Sequence, residues 1–173
     1  SAEFNGDGTR VVSASSDGVK LWDVDTGDLL HSFETHSDWF NSAEFDGDAT
    51  RLYPGVDGTV KLIDAGSREL LQSFEAHSDW VRTAEFNGDG TRIVSASDDG
   101  TVKIWDVSSG KLLYSFEAHL SPVRSAKFNA DGTRVVSVSE DGTVKIWKVE
   151  TLDELLHRAC DWLRPYLTSN PNV

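Results

Sequence analysis

The chain has 173 residues, 38% hydrophobic and 26% charged, a balance that fits one soluble globular domain with a sizeable core. Its 16 Lys and Arg against 29 Asp and Glu give a net charge of −13, which repels phosphate backbones and argues against nucleic-acid binding. No apolar run approaches the roughly 18 residues that a membrane-spanning helix needs, and the single cysteine, Cys160, excludes an internal disulfide framework, in keeping with a reducing, cytoplasmic setting. There is no signal-peptide pattern, and a start at Ser1 without any Met suggests a fragment, a processed chain or a trimmed one.

Taken in order, the chain repeats itself. An aromatic recurs as Phe4, Phe45, Phe86 and Phe128, at spacings of 41, 41 and 42. A histidine recurs as His36, His77 and His119, at spacings of 41 and 42. An Asp-Gly pair recurs at Asp17-Gly18, Asp57-Gly58, Asp99-Gly100 and Asp141-Gly142. A Val-Lys-(Leu/Ile)-Trp string follows three of these, ending at Trp22, Trp105 and Trp147, whereas the second copy ends at Ile63. The periods are thus about 1–35, 36–76, 77–118 and 119–150.

The first copy starts inside its first strand, at Ser1-Ala2-Glu3-Phe4, and its Gly18-Val19 lacks the Thr of the other copies. The second copy is one residue shorter across Arg51 to Asp57, and Tyr53 or Pro54 stands where the others have Ser. Pro54 removes a ladder donor, so this strand is expected to bulge or sit irregularly. Blade two is then either the weak blade or one remodelled for function. The third copy is the cleanest. Val81 to Phe86, Arg92 to Ser97, Thr101 to Val107 and Lys111 to Glu117 read as four strands, separated by Asn87-Gly88-Asp89-Gly90, Asp98-Asp99-Gly100 and Ser108-Ser109-Gly110. The fourth copy has no clear outer strand. Beyond it, Leu152, Leu155, Leu156, Ala159, Leu163 and Tyr166-Leu167 follow helical spacing after a Thr151/Glu154 capping box, which predicts a helix over 151–167 and a tail over 168–173. The string DELLH also resembles GDLLH at 27–31, so an outer strand is the alternative.

Four strands in a period of about 40–45 residues is the mark of a propeller blade. The strings SASDDGTVKIWDV and SVSEDGTVKIWKV resemble the WD-repeat family, over residues 1 to about 149, and the tail LDELLHRACDWLRPYL is similar to those of bacterial, notably cyanobacterial, WD-repeat arrays. One departure is consistent: the family's Gly-His keeps its His here and loses its Gly. The resemblance implies an all-β fold, a β-propeller built from four WD-type four-stranded blades with a short C-terminal α-helix. It also implies that His77, Ser95, Asp99 and Trp105, and likewise His119, Ser137, Asp141 and Trp147, form structural tetrads. In these Asp accepts from His, His is bridged to Ser, and the Trp indole N–H donates outward. The second copy, with His36 and Asp57 but Ile63, cannot close one.

A Ser-His-Asp hydrolase triad has the same residue types, but a triad occurs once, in a cleft, and this set repeats. No catalytic residue is therefore assigned. The Asp-rich turns lack the remaining ligands of a calcium loop. His31, His157 and Cys160 have no ligand spacing, and no phosphate-binding glycine string occurs, so no metal and no cofactor is expected. Trp39 and Trp80 stand three residues after a repeated His, on the propeller face that the family commonly uses for partners, with Arg82 and Arg124 close by. The same two rings could instead pack against neighbouring blades.

The expected function is a non-catalytic scaffold for a protein or peptide partner. The alternative is a sensor or autoinhibitory module of a larger NACHT-type signalling ATPase, which the resemblance to bacterial arrays suggests. WD-type rings usually close at about seven or eight blades. A lone half ring would leave open edges, so a homodimer closing an eight-bladed ring is expected; a compact four-bladed monomer and a fragment whose missing blades lie upstream are the alternatives.

Overall fold

A computed structural model describes residues 2–15, 18–33, 44–46, 50–64, 67, 69–150, 160, 162 and 164, with backbone alone at 33, 44–46 and 50–53. Strands β1 (Ala2–Phe4), β2 (Arg10–Ser15), β3 (Gly18–Asp23) and β4 (Leu29–Phe33) form one antiparallel sheet in chain order. A second holds β5 (Glu44–Asp46), β6 (Thr50–Pro54), β7 (Thr59–Asp64) and β8 (Leu70–Glu75). The third holds β9 (Val81–Phe86), β10 (Arg92–Ser97), β11 (Val102–Asp106) and β12 (Leu112–Phe116). In the fourth, β13 (Val123–Phe128), β14 (Arg134–Ser139) and β15 (Val144–Lys148) have no fourth strand beside them among the described residues.

Each sheet is a meander because its turns are short and chemically closed. In three copies an Asn carboxamide accepts the N–H five residues on: Asn5 from Arg10, Asn87 from Arg92 and Asn129 from Arg134, each at 2.9 Å. Asp7, Asp89 and Asp131 in the same turns accept both the N–H and the hydroxyl of Thr9, Thr91 and Thr133. These carboxylates serve their own turns. A bulge recurs between the third and fourth strands of three sheets, at Leu21/Trp22, Leu62/Ile63 and Ile104/Trp105. It falls at the same register position whether that position holds Trp or Ile63, so it belongs to the repeat and not to the aromatic.

The first strands neighbour one another in chain order, β1 by β5, β5 by β9 and β9 by β13, so the sheets pack face to face in sequence. The core lies between them. Val60, Leu62, Phe74 and Ala76 of the second sheet meet Val81, Ala84, Ile93 and Trp105 of the third. Val94, Ala96, Val102, Ile104 and Ala118 of the third meet Val123, Ala126, Val135 and Val149 of the fourth. Neighbours on both sides leave β10 buried on both faces, whereas β14, with nearly the same sequence, alternates strictly between exposed and buried.

Pro54 does not disturb the pairing of its strand with β7. The pairing of β6 with β7 runs in unbroken register from Thr50↔Asp64 to Pro54↔Val60. Gly55 N–H donates to Thr59 O at 2.8 Å. Pro54/Val60 is therefore a non-hydrogen-bonded pair, and the missing donor faces away from β7, so no bulge arises between β6 and β7. The helix expected over 151–167 and the tail over 168–173 lie outside the described residues, apart from Cys160, Trp162 and Arg164, which are exposed. No helix among the described residues is long and apolar enough to cross a membrane.

Candidate functional site

Two arrangements gather the polar and aromatic residues that stand out in the sequence. One lies inside the sheets and the other at their loop end. The inner one begins with His77, which precedes β9. Its Nε2 lies 2.8 Å from Ser95 Oγ on β10, and its Nδ1 lies 3.0 Å from Asp99 Oδ2 in the β10–β11 turn. Trp105 Nε1, on β11, donates to Ser95 Oγ at 3.1 Å. The fourth sheet repeats this: His119 Nε2 is 2.8 Å from Ser137 Oγ, His119 Nδ1 is 2.9 Å from Asp141 Oδ2, and Trp147 Nε1 donates to Ser137 Oγ at 3.0 Å. In the first sheet Trp22 Nε1 donates to Ser13 Oγ at 2.9 Å. The indole thus donates inward, to the serine, and not outward as the family resemblance suggested. Both ends of the serine are committed by this, since it gives its own proton to the imidazole.

Burial sets the protonation. It pushes the His77 imidazole down to about 4, against the pull of Asp99, so His77 is neutral at pH 7. Burial pushes Asp99 the other way, but hydrogen bonds from the Thr101 hydroxyl and N–H, the charge that His77 carries once acid protonates it, and the Ser78 N–H hold it below the usual carboxylate range. The Thr143 hydroxyl and N–H, with His119, hold Asp141 well below that range. Ser95 and Ser137 are fully buried. Their oxygens have donor and acceptor on either side and no face open to a substrate.

Sequence reasoning overlooked three further members of this network. Thr101 Oγ1 lies 2.9 Å from His77 Nδ1, and Thr143 Oγ1 lies 3.0 Å from His119 Nδ1. Lys103 Nζ donates to Ala76 O and Lys145 Nζ to Ala118 O, each at 2.6 Å, tying a strand to the end of the preceding sheet. Ser97 Oγ donates to Asp79 O and Ser139 Oγ to Ser121 O, each at 3.1 Å. The signal was present, since Thr and Lys recur in the repeat as regularly as Trp. In the second sheet the register decides which residue takes the serine position. Ser13, Ser95 and Ser137 stand opposite Lys20, Lys103 and Lys145, and Tyr53 stands opposite Lys61. His36 lies outside the described residues.

The outer arrangement occupies the loops that enter β9 and β13. Trp80 is 45% exposed, and Leu120, in the corresponding loop of the next sheet, is fully exposed. The Arg82 guanidinium lies over the Trp80 ring, 5.2 Å from its centroid. Arg82 is held from below by Asp98, with Nε donating to Oδ1 at 2.7 Å and Nη2 to Oδ2. Arg124 pairs with Glu140 one sheet further on, and both are partly exposed. Trp80, Arg82 and Asp98 thus form one braced group, and Arg124 with Glu140 a second. Trp39 lies outside the described residues.

The sequence model of one family, described as "WD domain, G-beta repeat", matches residues 27–64, 68–106 and 110–148. No curated protein sequence matches the chain. Among solved structures, the crystal structure of the computationally designed Ika8 protein is similar, with a TM-score of 0.73 and 35% sequence identity over 82% of this chain and 43% of that one. The chain thus spans less than half the length of that protein.

Proposed function

Because the chain belongs to the WD-repeat family, we propose that it works as a cytoplasmic, non-catalytic scaffold that holds a protein or peptide at the loop end of its sheets. The observation that carries this reading is the exposed Trp80, braced by an arginine that is itself ion-paired. Large aromatics fixed before a partner arrives lose little freedom on binding, and Trp and Arg are the residues on which interfaces most often turn. Leu120 extends the apolar surface to the next sheet, and Arg124 with Glu140 rims it with paired charge. The fully engaged serines argue against acyl transfer, leaving the polar networks a structural part. The working form is a homodimer, two chains of four sheets making an eight-bladed ring.

The test is affinity capture from the native host with the wild-type chain and with a Trp80→Ala/Leu120→Ser variant, followed by mass spectrometry. A protein enriched by the first and lost with the second, at unchanged melting temperature, supports the reading. Equal capture by both overturns it.

A further inference from the structure

We propose that the loop end of the third and fourth sheets takes a basic segment of a partner protein, in which Lys or Arg residues flank an apolar side chain. This rests on the scaffold reading above and adds to it the chemistry of the partner.

The apolar half of the site comes from two loops in neighbouring sheets. Val81 N–H donates to Gly55 O at 3.1 Å and Asp98 N–H to Trp80 O at 2.9 Å, so the loop carrying Trp80 is held between the second and third sheets. His119 N–H donates to Gly100 O at 2.9 Å and Glu140 N–H to Pro122 O at 3.0 Å, which holds the loop carrying Leu120 between the third and fourth. The strands that these loops enter, β9 and β13, are neighbours, and Ala126 N–H donates to Thr83 Oγ1 between them at 3.3 Å. The half-exposed Trp80 and the fully exposed Leu120 therefore stand at one end of the molecule, on loops pinned from both sides.

Charge decides what the ligand carries. The Lys and Arg side chains that the third and fourth sheets place at this end are all committed. Arg82 donates to both oxygens of Asp98, and Arg124 pairs with Glu140. The Lys103 and Lys145 ammonium groups donate to Ala76 O and Ala118 O. The carboxylates are not matched in the same way. Asp79, exposed beside Trp80, takes a hydrogen bond from a neutral donor, the Trp80 N–H, at 2.8 Å. Asp99 takes its own from Thr101, Ser78 and a neutral His77. Once Asp98 and Glu140 have offset the two guanidiniums, Glu75, Asp79, Asp99, Glu117 and Asp141 outnumber Lys103 and Lys145, and this end is negative.

An anionic ligand, a phosphopeptide included, would have to draw Arg82 off two hydrogen bonds and would then sit among these carboxylates. A cationic one meets the opposite. The carboxylates attract it, and so does the indole, whose negative π-face already holds the Arg82 guanidinium 5.2 Å from its centroid. Complementary charge of this kind steers encounter and rejects partners of the wrong sign.

The test is a selection from a random dodecapeptide display library on the immobilised chain at low salt. The Trp80→Ala/Leu120→Ser variant, which has the same charge, serves for counter-selection. Fluorescence anisotropy then measures the most enriched peptide, with circular dichroism to confirm that each variant folds. The expected result is enrichment of peptides that carry net positive charge around an apolar side chain, with binding by Trp80→Ala weaker by roughly tenfold. Leu120→Ser alone provides the second anchor variant if Trp80→Ala loses its spectrum. Asp79→Asn removes the charge and keeps the oxygen that accepts the Trp80 N–H. It should weaken binding about threefold at about 50 mM salt and less at about 500 mM, where screening shortens the reach of exposed charge. Asp89→Asn, the same change in the turn at the opposite end of β9, should leave affinity unchanged. Enriched peptides that are neutral or acidic, yet lost with the anchor variants, overturn the basic partner and leave the scaffold reading standing. No effect of Asp79→Asn, or an equal effect of Asp89→Asn, reduces the attraction to the overall charge of the chain and overturns the site. No enrichment overturns the peptide ligand, and capture from the native host then decides the scaffold reading separately.

Discussion

The Trp105 indole donates to Ser95 Oγ at 3.1 Å, and this one bond orients the protons behind it. Ser95 must then donate to His77 Nε2, and neutral His77 must donate from Nδ1 towards Asp99. Asp99 ends the chain and also accepts from the Ser78 and Thr101 N–H groups.

Asp99→Ala should therefore strand a buried imidazole N–H and cost about 1–3 kcal/mol of stability. Urea denaturation of the variant beside the wild type measures this. An unchanged midpoint and slope would show that the carboxylate does not support the network.

Acid should weaken the fold before Asp99 titrates. His77 has an ordinary value of 6.5 and is held at about 4 in the folded chain, so between these pH values the unfolded chain binds a proton that the folded chain refuses. Stability is complete above about 6.5 and falls as pH drops towards 4. The drop from 6.5 to about 4 corresponds to roughly 3 kcal/mol at most. Asp99, whose value is lowered, adds its own loss only below 3.8. Melting curves at pH 7 and 5 should differ in the wild type and differ less in His77→Gln.

Gly100 and Gly8 share a left-handed backbone, at φ of +83° and +74°, but not their surroundings. A Cβ on Gly100 would meet His119 O at 2.7 Å, and one on Gly58 would press on His77 O, whereas Gly8 has nothing within 4 Å. Gly8→Ala should cost about 1 kcal/mol of backbone strain. Gly100→Ala should cost clearly more, because the chain segment ahead of β13 must move as well. Thermal melts of the two variants give the comparison, and equal costs would mean that the segment gives way freely.

Trp80→Ala should change stability by no more than about 0.5 kcal/mol, since the ring is half exposed and lies outside both core clusters. A loss of 2 kcal/mol or more in a denaturation curve would make Trp80 a packing residue rather than a partner anchor.

The strands of the third sheet were legible because the turns around them are chemically marked, and the sequence ranges exceed the structural ones by at most one residue at an end. The His, Ser, Asp and Trp positions were legible because they recur in register. The direction of the indole was not, since it depends on where Ser95 stands across the ladder from Trp105. Nor was the exposure of β14, because RVVSVS and RIVSAS have one apolar pattern, and what separates them is that β10 has a further sheet beside it among the described residues and β14 does not. Pro54 misled because the side its missing N–H faces is set by pairing type, which composition does not reveal.

The two junctions whose residues are described are made from the same parts. His77 N–H donates to Gly58 O at 2.8 Å and Lys103 to Ala76 O, and one sheet later His119 N–H donates to Gly100 O at 2.9 Å and Lys145 to Ala118 O. A sheet consults only the sheet before it. Recombination that inserted or deleted one whole period would recreate a junction of the same chemistry at the seam, while a cut of any other length would leave a histidine without its glycine carbonyl. Copy number is therefore free to drift in this kind of gene, and unit length is not.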